Sequence, residues 1–322
     1  MLNKIPPRNI GLDLVRVTET AALAAGRWIG SGDHENAHRI ATMAMAEALN
    51  TLEMDGRIVI GEDGRIENGP LESNARVGTG KGPAVDLIVD PIDGTNLLIK
   101  GGGGAISVVG IAPRGTMWCP VPAVYMEKIV VDKEAAAALV PDCLDAPAAW
   151  TLALIARAKN KAVSDMLVFV LDRPRHKDLI NEIRQAGARV YLRPEGDAEG
   201  ALLAALPDSG VDMLYGIGGT AQGVMAACMT RALGGGMLAR LAPQSIAERD
   251  EIVDAGLDLK QILTCEEIVS SDAVFFAATG ITHTPIVQGV QFYSDHAVTH
   301  SLLIRGETGT QRIIHAEHYA RV

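Results

Sequence analysis

The chain has 322 residues, with 29 Lys+Arg against 39 Asp+Glu, a formal net charge of −10 at pH 7 and 48% hydrophobic residues. The excess of acid argues against a nucleic-acid partner, whose phosphates need a basic surface, and no uninterrupted apolar run is long enough to span a membrane. The opening MLNKIPPRNIG lacks a signal-peptide hydrophobic region, and Cys119, Cys143, Cys228 and Cys265 are scattered without CxxC spacing, so a cytoplasmic protein with free thiols is expected.

Length divided by ~150 suggests two units. Residues 10–29 carry Leu12, Val15, Ala22, Ala25 and Ile29 at roughly helical spacing, and Gly30-Ser31-Gly32-Asp33 breaks the pattern. A second helix is predicted over 37–53, stopping at Asp55-Gly56. Residues 57–60 read as a short strand that ends on Gly61-Glu62, an acid at a strand end. After a polar stretch (63–83), Leu87-Ile88-Val89 reads as a buried strand ending at Asp90, because Pro91 cannot continue a ladder. Asp93, Gly94 and Thr95 follow. Asp-Gly is a common turn dipeptide, so these acids could simply solvate a turn. Alternatively, two crowded carboxylates hold a hard divalent ion between them. The stretch alone leaves both readings open.

Four glycines (101–104) precede strands at 105–111 and 128–132, and the Ala/Pro-rich 134–149 marks the predicted boundary between halves 1–137 and 138–322. Beyond it strand and helix alternate over 167–171, 176–186, 188–192, 198–206, 211–215 and 220–232. That rhythm predicts βαβ units and a mostly parallel sheet. Residues 273–278 and 298–304 read as closing strands.

Several motifs bear on chemistry. Residues 77–82 (VGTGKG) are no P-loop, since no Ser/Thr follows Lys81 and the segment precedes a strand. The glycines of Tyr215–Thr220 (YGIGGT) open a helix after a strand; they suit either an anion site or a tight strand–helix turn. Asp172–His176 (DRPRH) places Arg173 and Arg175 around Pro174 at a strand end, suited to phosphate or to a solvated helix entrance. Glu195-Gly196-Asp197 offers an N-cap or acceptors for sugar hydroxyls. There is no HExxH and no Gly-x-Ser-x-Gly, and His315 and His318 read as surface residues of the tail. Acids at two strand ends, arginines at a third and glycine-rich helix starts share the ligand-binding side of an open α/β sheet. Together they suggest metal-assisted phosphoryl transfer to water.

The segments LVRVTETAALAAGRWIGSGD, GRIVIGE, VDPIDGT, VYMEKIVV, DRPRH, YGIGGTAQGV, FAATGIT and LLIRG cover nearly the whole chain. In them it resembles the class II (GlpX-type) fructose-1,6-bisphosphatases, within the metal-dependent, lithium-sensitive sugar and inositol phosphatase superfamily. The resemblance implies an α/β (α+β) layered αβαβα sandwich, with a mixed N-terminal sheet and a mostly parallel C-terminal one. It implies Mn²⁺- or Mg²⁺-dependent hydrolysis of the 1-phosphate of fructose 1,6-bisphosphate, and a homo-oligomer, dimer or tetramer. Glu62, Asp90 and Asp93 would hold the metal, and Thr95 would position the attacking water, with Asp93 and Glu62 as its catalytic companions. Gly94, Thr95, Tyr125, Arg173, Pro174, Arg175, Glu195, Gly196, Asp197 and Gly219, with Asp93, would contact substrate.

The sequence also departs from the family pattern. His34 and His38 stand where a lysine and an aspartate are expected, Asp93 where a glutamate is typical, and Gln222 where a glutamate is expected. If His38 and Gln222 keep their places as metal ligands, they favour Mn²⁺ over Mg²⁺. They also raise a rival reading, a degenerate paralogue that binds sugar phosphate and barely hydrolyses it. A third reading, an inositol-phosphate or nucleotide phosphatase, rests on DPIDGT alone.

Overall fold

Five layers stack in the order helix, sheet, helix, sheet, helix. The structure is a computed structural model describing residues 10–319. The chain begins with α1 (Gly11–Gly26) and α2 (His34–Asn50), followed by β1 (Asp55–Ile60), β2 (Arg76–Val77), β3 (Ala84–Asp93), α3 (Thr95–Ile99), β4 (Ile106–Pro113) and β5 (Tyr125–Val131). Next come α4 (Ala148–Ala158), β6 (Leu167–Leu171), α5 (Lys177–Gln185), β7 (Arg189–Arg193), α6 (Asp197–Ala205), β8 (Met213–Gly219), α7 (Thr220–Leu233) and β9 (Gly236–Leu241). The last are α8 (Ile246–Asp254), β10 (Leu263–Thr264), α9 (Cys265–Ile268), β11 (Phe275–Gly280), β12 (Gln291–Phe292), β13 (His296–Arg305) and β14 (Thr310–Tyr319).

The first sheet has eight strands, running β12-β13-β11-β4-β3-β1-β2 with β14 on β13; the second has six, β10-β9-β5-β8-β6-β7. Helices α1 and α2 cover the outer face of the first sheet through Leu14, Val17, Met45 and Leu49, which pack on Ile58, Leu87 and Val109. Helices α6 and α7 lie between the sheets. Leu202, Leu203, Val224 and Cys228 pack there with Ile88 and Val108 of one sheet and Met126, Val130 and Leu214 of the other. Helices α4 and α5 close the far side on Ile129, Val168 and Val170. The layered architecture expected from the sequence is therefore present.

The second sheet corrects the expectation of mostly parallel strands. Only the pairings of β6 with β7 and β8 are parallel; β5 is antiparallel to both β8 and β9, and β10 to β9. Strand–helix alternation revealed the βαβ units but not the intruder: β5 comes from before residue 137 and inserts between β8 and β9. Conversely β11–β14 join the first sheet, so a boundary at 137/138 does not separate the two sheets.

Local corrections have local causes. Helix α2 starts at His34, not 37, because the Asp33 side chain accepts a hydrogen bond from Asn36 N at 3.1 Å and caps it. Strand β3 runs through Pro91 to Asp93. Its register against β4 shifts between Asp90 and Asp93, and a bulge is where a sheet tolerates proline. The tail histidines sit on β14: His315 is exposed, but His318 is half-buried and bonded to Thr299 Oγ1 at 2.8 Å. The four cysteines are free thiols, and no helix among the described residues is long and apolar enough to cross a membrane.

Candidate active site

A cleft of about 770 Å³ opens between the two sheets. Every residue predicted for the site lines it except Pro174, which instead begins a short 3-10 turn, Pro174–His176. The cleft joins an acidic end, built on the first sheet, to a basic end built on the second.

At the acidic end β3 delivers Asp90 and Asp93, both buried, and β1 delivers Glu62 just past its last residue. Asp90 Oδ1 accepts from Ile92 N at 3.1 Å, which pins the carboxylate to its own turn. Gly94 follows with φ +91°, a left-handed conformation that glycine takes without strain. It turns the chain into α3, whose first residue, Thr95, donates its hydroxyl to Ile92 O at 3.2 Å. Asp93 Oδ2 accepts from Glu199 N at 3.0 Å, so the first sheet's acid is held by the first turn of α6.

Burial, and then the neighbouring Glu62 carboxylate, push the Asp90 carboxyl up to about 7, against the pull of the Gln222 hydrogen bond. Asp93 is raised likewise, by burial first and Asp90 second. These acids crowd one another with too little positive charge nearby. Their oxygen donors fit a hard divalent cation. Among the described residues, however, no three His, Cys, Asp or Glu side chains already converge as a ligand cage. The side chains pair off: His38 Nε2 lies 2.8 Å from Glu62 Oε2, and Gln222 Nε2 donates to Asp90 Oδ2 at 2.9 Å. His34 lines the cleft one helical turn before His38, with the two rings parallel and 6.4 Å apart.

At the basic end the DRPRH segment leads into α5, and both of its arginines line the cleft. Arg175 donates from Nε and Nη2 to Ile217 O at 3.2 and 2.9 Å, and its guanidinium lies 5.1 Å from the Tyr125 ring centroid. His176 fastens the same turn to β8. Its Nδ1 donates to Leu171 O at 2.7 Å and its Nε2 accepts from Ile217 N at 2.8 Å, which requires a neutral ring; burial lowers its pKa accordingly.

The Glu195–Asp197 segment is more occupied than its sequence suggests. Glu195 Oε2 accepts from Asn96 N at 2.9 Å and Oε1 from Asn96 Nδ2, so Glu195 ties α3 to the second sheet. Asp197 Oδ2 accepts from Lys128 Nζ at 2.6 Å. The glycines of 216–219 serve chiefly as room. A Cβ at Gly218 would overlap Asp197 Oδ2, one at Gly219 would overlap Gln222 Oε1, and one at Gly216 would stand 3.0 Å from His176 Nε2.

Sequence reasoning missed Lys128, Asn96, His176, Arg193 and Glu199. Lys128 carried a signal, a lysine inside the otherwise apolar end of β5. Glu199 is buried, raised by that burial to about 7, and 3.4 Å from Arg193, whose Nη2 also donates to Gly103 O at 2.7 Å. That pair gives the four-glycine loop its partner on the second sheet.

Residues 8–318 match the family described as bacterial fructose-1,6-bisphosphatase, glpX-encoded. The class 2 fructose-1,6-bisphosphatase of Haemophilus influenzae is 40% identical over 326 aligned positions, covering 97% of this chain and 96% of its own. The fructose-1,6-bisphosphatase 1 class 2 of Escherichia coli K12 is 38% identical with the same coverage. With a match across nearly its full length, and a cleft that sets buried acids opposite arginines, this chain belongs to the glpX-type, class 2 fructose-1,6-bisphosphatase family of phosphatases.

Proposed function

We propose that the chain removes the 1-phosphate of fructose 1,6-bisphosphate with the help of Mn²⁺ or Mg²⁺, as a cytoplasmic homo-oligomer serving gluconeogenesis or a Calvin-type cycle. One observation carries this reading: uncompensated buried acids and a pair of arginines face each other across a single cleft. The names of the relatives supply the substrate.

Glu62, Asp90 and Asp93 would hold the cation. His38 and Gln222, which line the cleft bonded to Glu62 and Asp90, would complete the ligand set. When bound, the cation supplies Lewis-acid stabilisation of charge at phosphorus and lowers the pKa of water. Thr95, fixed by its bond to Ile92 O and by the Glu195 clasp on Asn96, orients a water towards phosphorus. Arg175 and Arg173, with Tyr125 beside them, grip the distal phosphate, and Asp197 accepts from a sugar hydroxyl. The acids thus work on the phosphate that leaves, the arginines on the one that stays.

Phosphate release across Mn²⁺, Mg²⁺ and Zn²⁺, with fructose 1,6-bisphosphate, sedoheptulose 1,7-bisphosphate and inositol phosphates, tests the reading. Fructose 1,6-bisphosphate turnover with Mn²⁺ is expected to lead. Tight binding of the bisphosphate with no turnover under any cation would instead favour the degenerate paralogue, and preference for inositol phosphates would overturn the sugar assignment.

A further inference from the structure

Beneath the Asp197 side of the cleft lies a buried charge. Lys128 stands on β5 opposite Gly216 of β8, and its side chain is fully buried. Its Nζ reaches Asp197 Oδ2 at 2.6 Å, the ammonium's hydrogen-bond partner among the described residues. The pair fills the space that a side chain at Gly218 would need: a Cβ there would overlap Asp197 Oδ2 and come within 2.6 Å of Lys128 Nζ. Removing one partner of such a buried pair leaves an uncompensated charge. Yet the pair does not close on itself. Asp197 lines the cleft, and its second oxygen, Oδ1, accepts no hydrogen bond among the described residues.

We propose that Lys128 is a positioning residue for substrate recognition: it fixes Asp197 so that Oδ1 is presented to the cleft as an acceptor for a hydroxyl of the sugar. This rests on the sugar-phosphate reading above. An ammonium can only donate, so it aligns a carboxylate oxygen and leaves the other oxygen to accept. A carboxylate repels phosphate, so the part of the ligand that meets Oδ1 carries a hydrogen-bond donor and no negative charge. Arg173 and Arg175 line the same cleft with the opposite preference. Arginines for phosphate beside a fixed acceptor for hydroxyl select a phosphorylated polyol over a bare phosphate ester.

The test compares wild type with Lys128→Met, Asp197→Asn and the double variant, which buries no unpaired charge. Steady-state kcat and KM are measured on fructose 1,6-bisphosphate and on p-nitrophenyl phosphate, which has no hydroxyl to offer. Loss of a hydrogen bond to a charged acceptor predicts a KM for the sugar bisphosphate raised about tenfold in Lys128→Met. The fall in kcat/KM on the sugar should exceed that on p-nitrophenyl phosphate by at least ~fivefold, with the double variant no worse than the worse single, since both act through one contact. Equal losses on the two substrates would mark the pair as merely structural and overturn the proposal. So would an unchanged KM in Lys128→Met. Should that variant not fold, the double variant carries the same comparison. A wild type without sugar-phosphate turnover overturns the functional reading and this inference with it; wild-type turnover with no substrate-dependent loss overturns this inference alone.

Discussion

Arg175 gives the sharpest prediction, because its hydrogen bonds leave one edge of the guanidinium free for a ligand. Its Nε and Nη2 are engaged with Ile217 O, which leaves Nη1 as the nitrogen without a bonded partner. Three N–H groups remain, two on Nη1 and one on Nη2, so that edge of the guanidinium can still meet a phosphate as a two-pronged fork. A hydrogen bond to a charged group contributes about 1.5–3 kcal/mol. At 1.4 kcal/mol per decade, Arg175→Ala should lower kcat/KM on fructose 1,6-bisphosphate about ten- to a hundredfold. The side chain is exposed, and Ile217 O can take water in its place, so the melting temperature should hardly move. Arg175→Lys should fall between, since an ammonium keeps the charge but cannot both hold the carbonyl and face the cleft. Steady-state kinetics with a thermal melt on all three proteins decides the matter. Unchanged kcat/KM together with a lowered melting temperature would show that the clamp on Ile217 is the side chain's whole role, and the phosphate assignment would be wrong.

Three further outcomes are expected. Converting His38→Asp and Gln222→Glu together should tighten Mn²⁺ and Mg²⁺ binding in calorimetry and raise kcat, with each single change doing less; no gain in affinity would mean that these residues do not address the cation. Glu195→Ala should lower kcat more than it changes KM, because it removes the hydrogen bonds that hold Asn96 beside Thr95, each worth about 1.5–3 kcal/mol for a charged acceptor; an unaltered kcat would separate the clasp from the chemistry. Burial alone would raise Asp212, but Lys161 at 2.6 Å, Leu167 N and Lys159 outweigh it and hold the carboxyl below its ordinary value. Its contribution to stability is then present above the unfolded pKa of about 3.9 and lost as pH falls through the lower folded value. Asp212→Asn should melt below wild type at pH 7, with the gap narrowing under pH 4; a gap independent of pH would contradict the assignment.

What was legible in the sequence was local. The acids at the ends of β1 and β3 and the arginines after β6 came from strand pattern and turn chemistry, and all of them line the cleft. What stayed hidden depended on partners far along the chain. Glu195 read as part of an N-cap or of an acceptor for sugar hydroxyls, and nothing near it announces that Asn96, 99 residues away, donates to both its oxygens. Lys128 is buried against Asp197, 69 residues further along the chain. The glycines of β8 read as an anion site or a tight turn, and nothing near them announces that Asp197, Gln222 and His176 use their smallness. Sheet order was the largest gap, since alternation cannot say that β5 slips between β8 and β9.

The interleaving of the two sheets sets an order of assembly. On a ribosome the chain emerges from its N-terminus, yet β4 has β11 as its outer neighbour: Val108 and Val109 pair with Ala278 and Ala277. Until residue 280 has been made, that edge of β4 has no partner, and the first sheet remains open beside the buried acids it carries. The second sheet draws all its strands from residues 125–264 and can be complete earlier. The half of the cleft encoded first is thus the half finished last. Such sequence-distant pairing slows folding and leaves hydrophobic strand edges bare in the meantime. Destabilising β11 or β13 should therefore penalise yield during synthesis more than the stability of protein that has already folded.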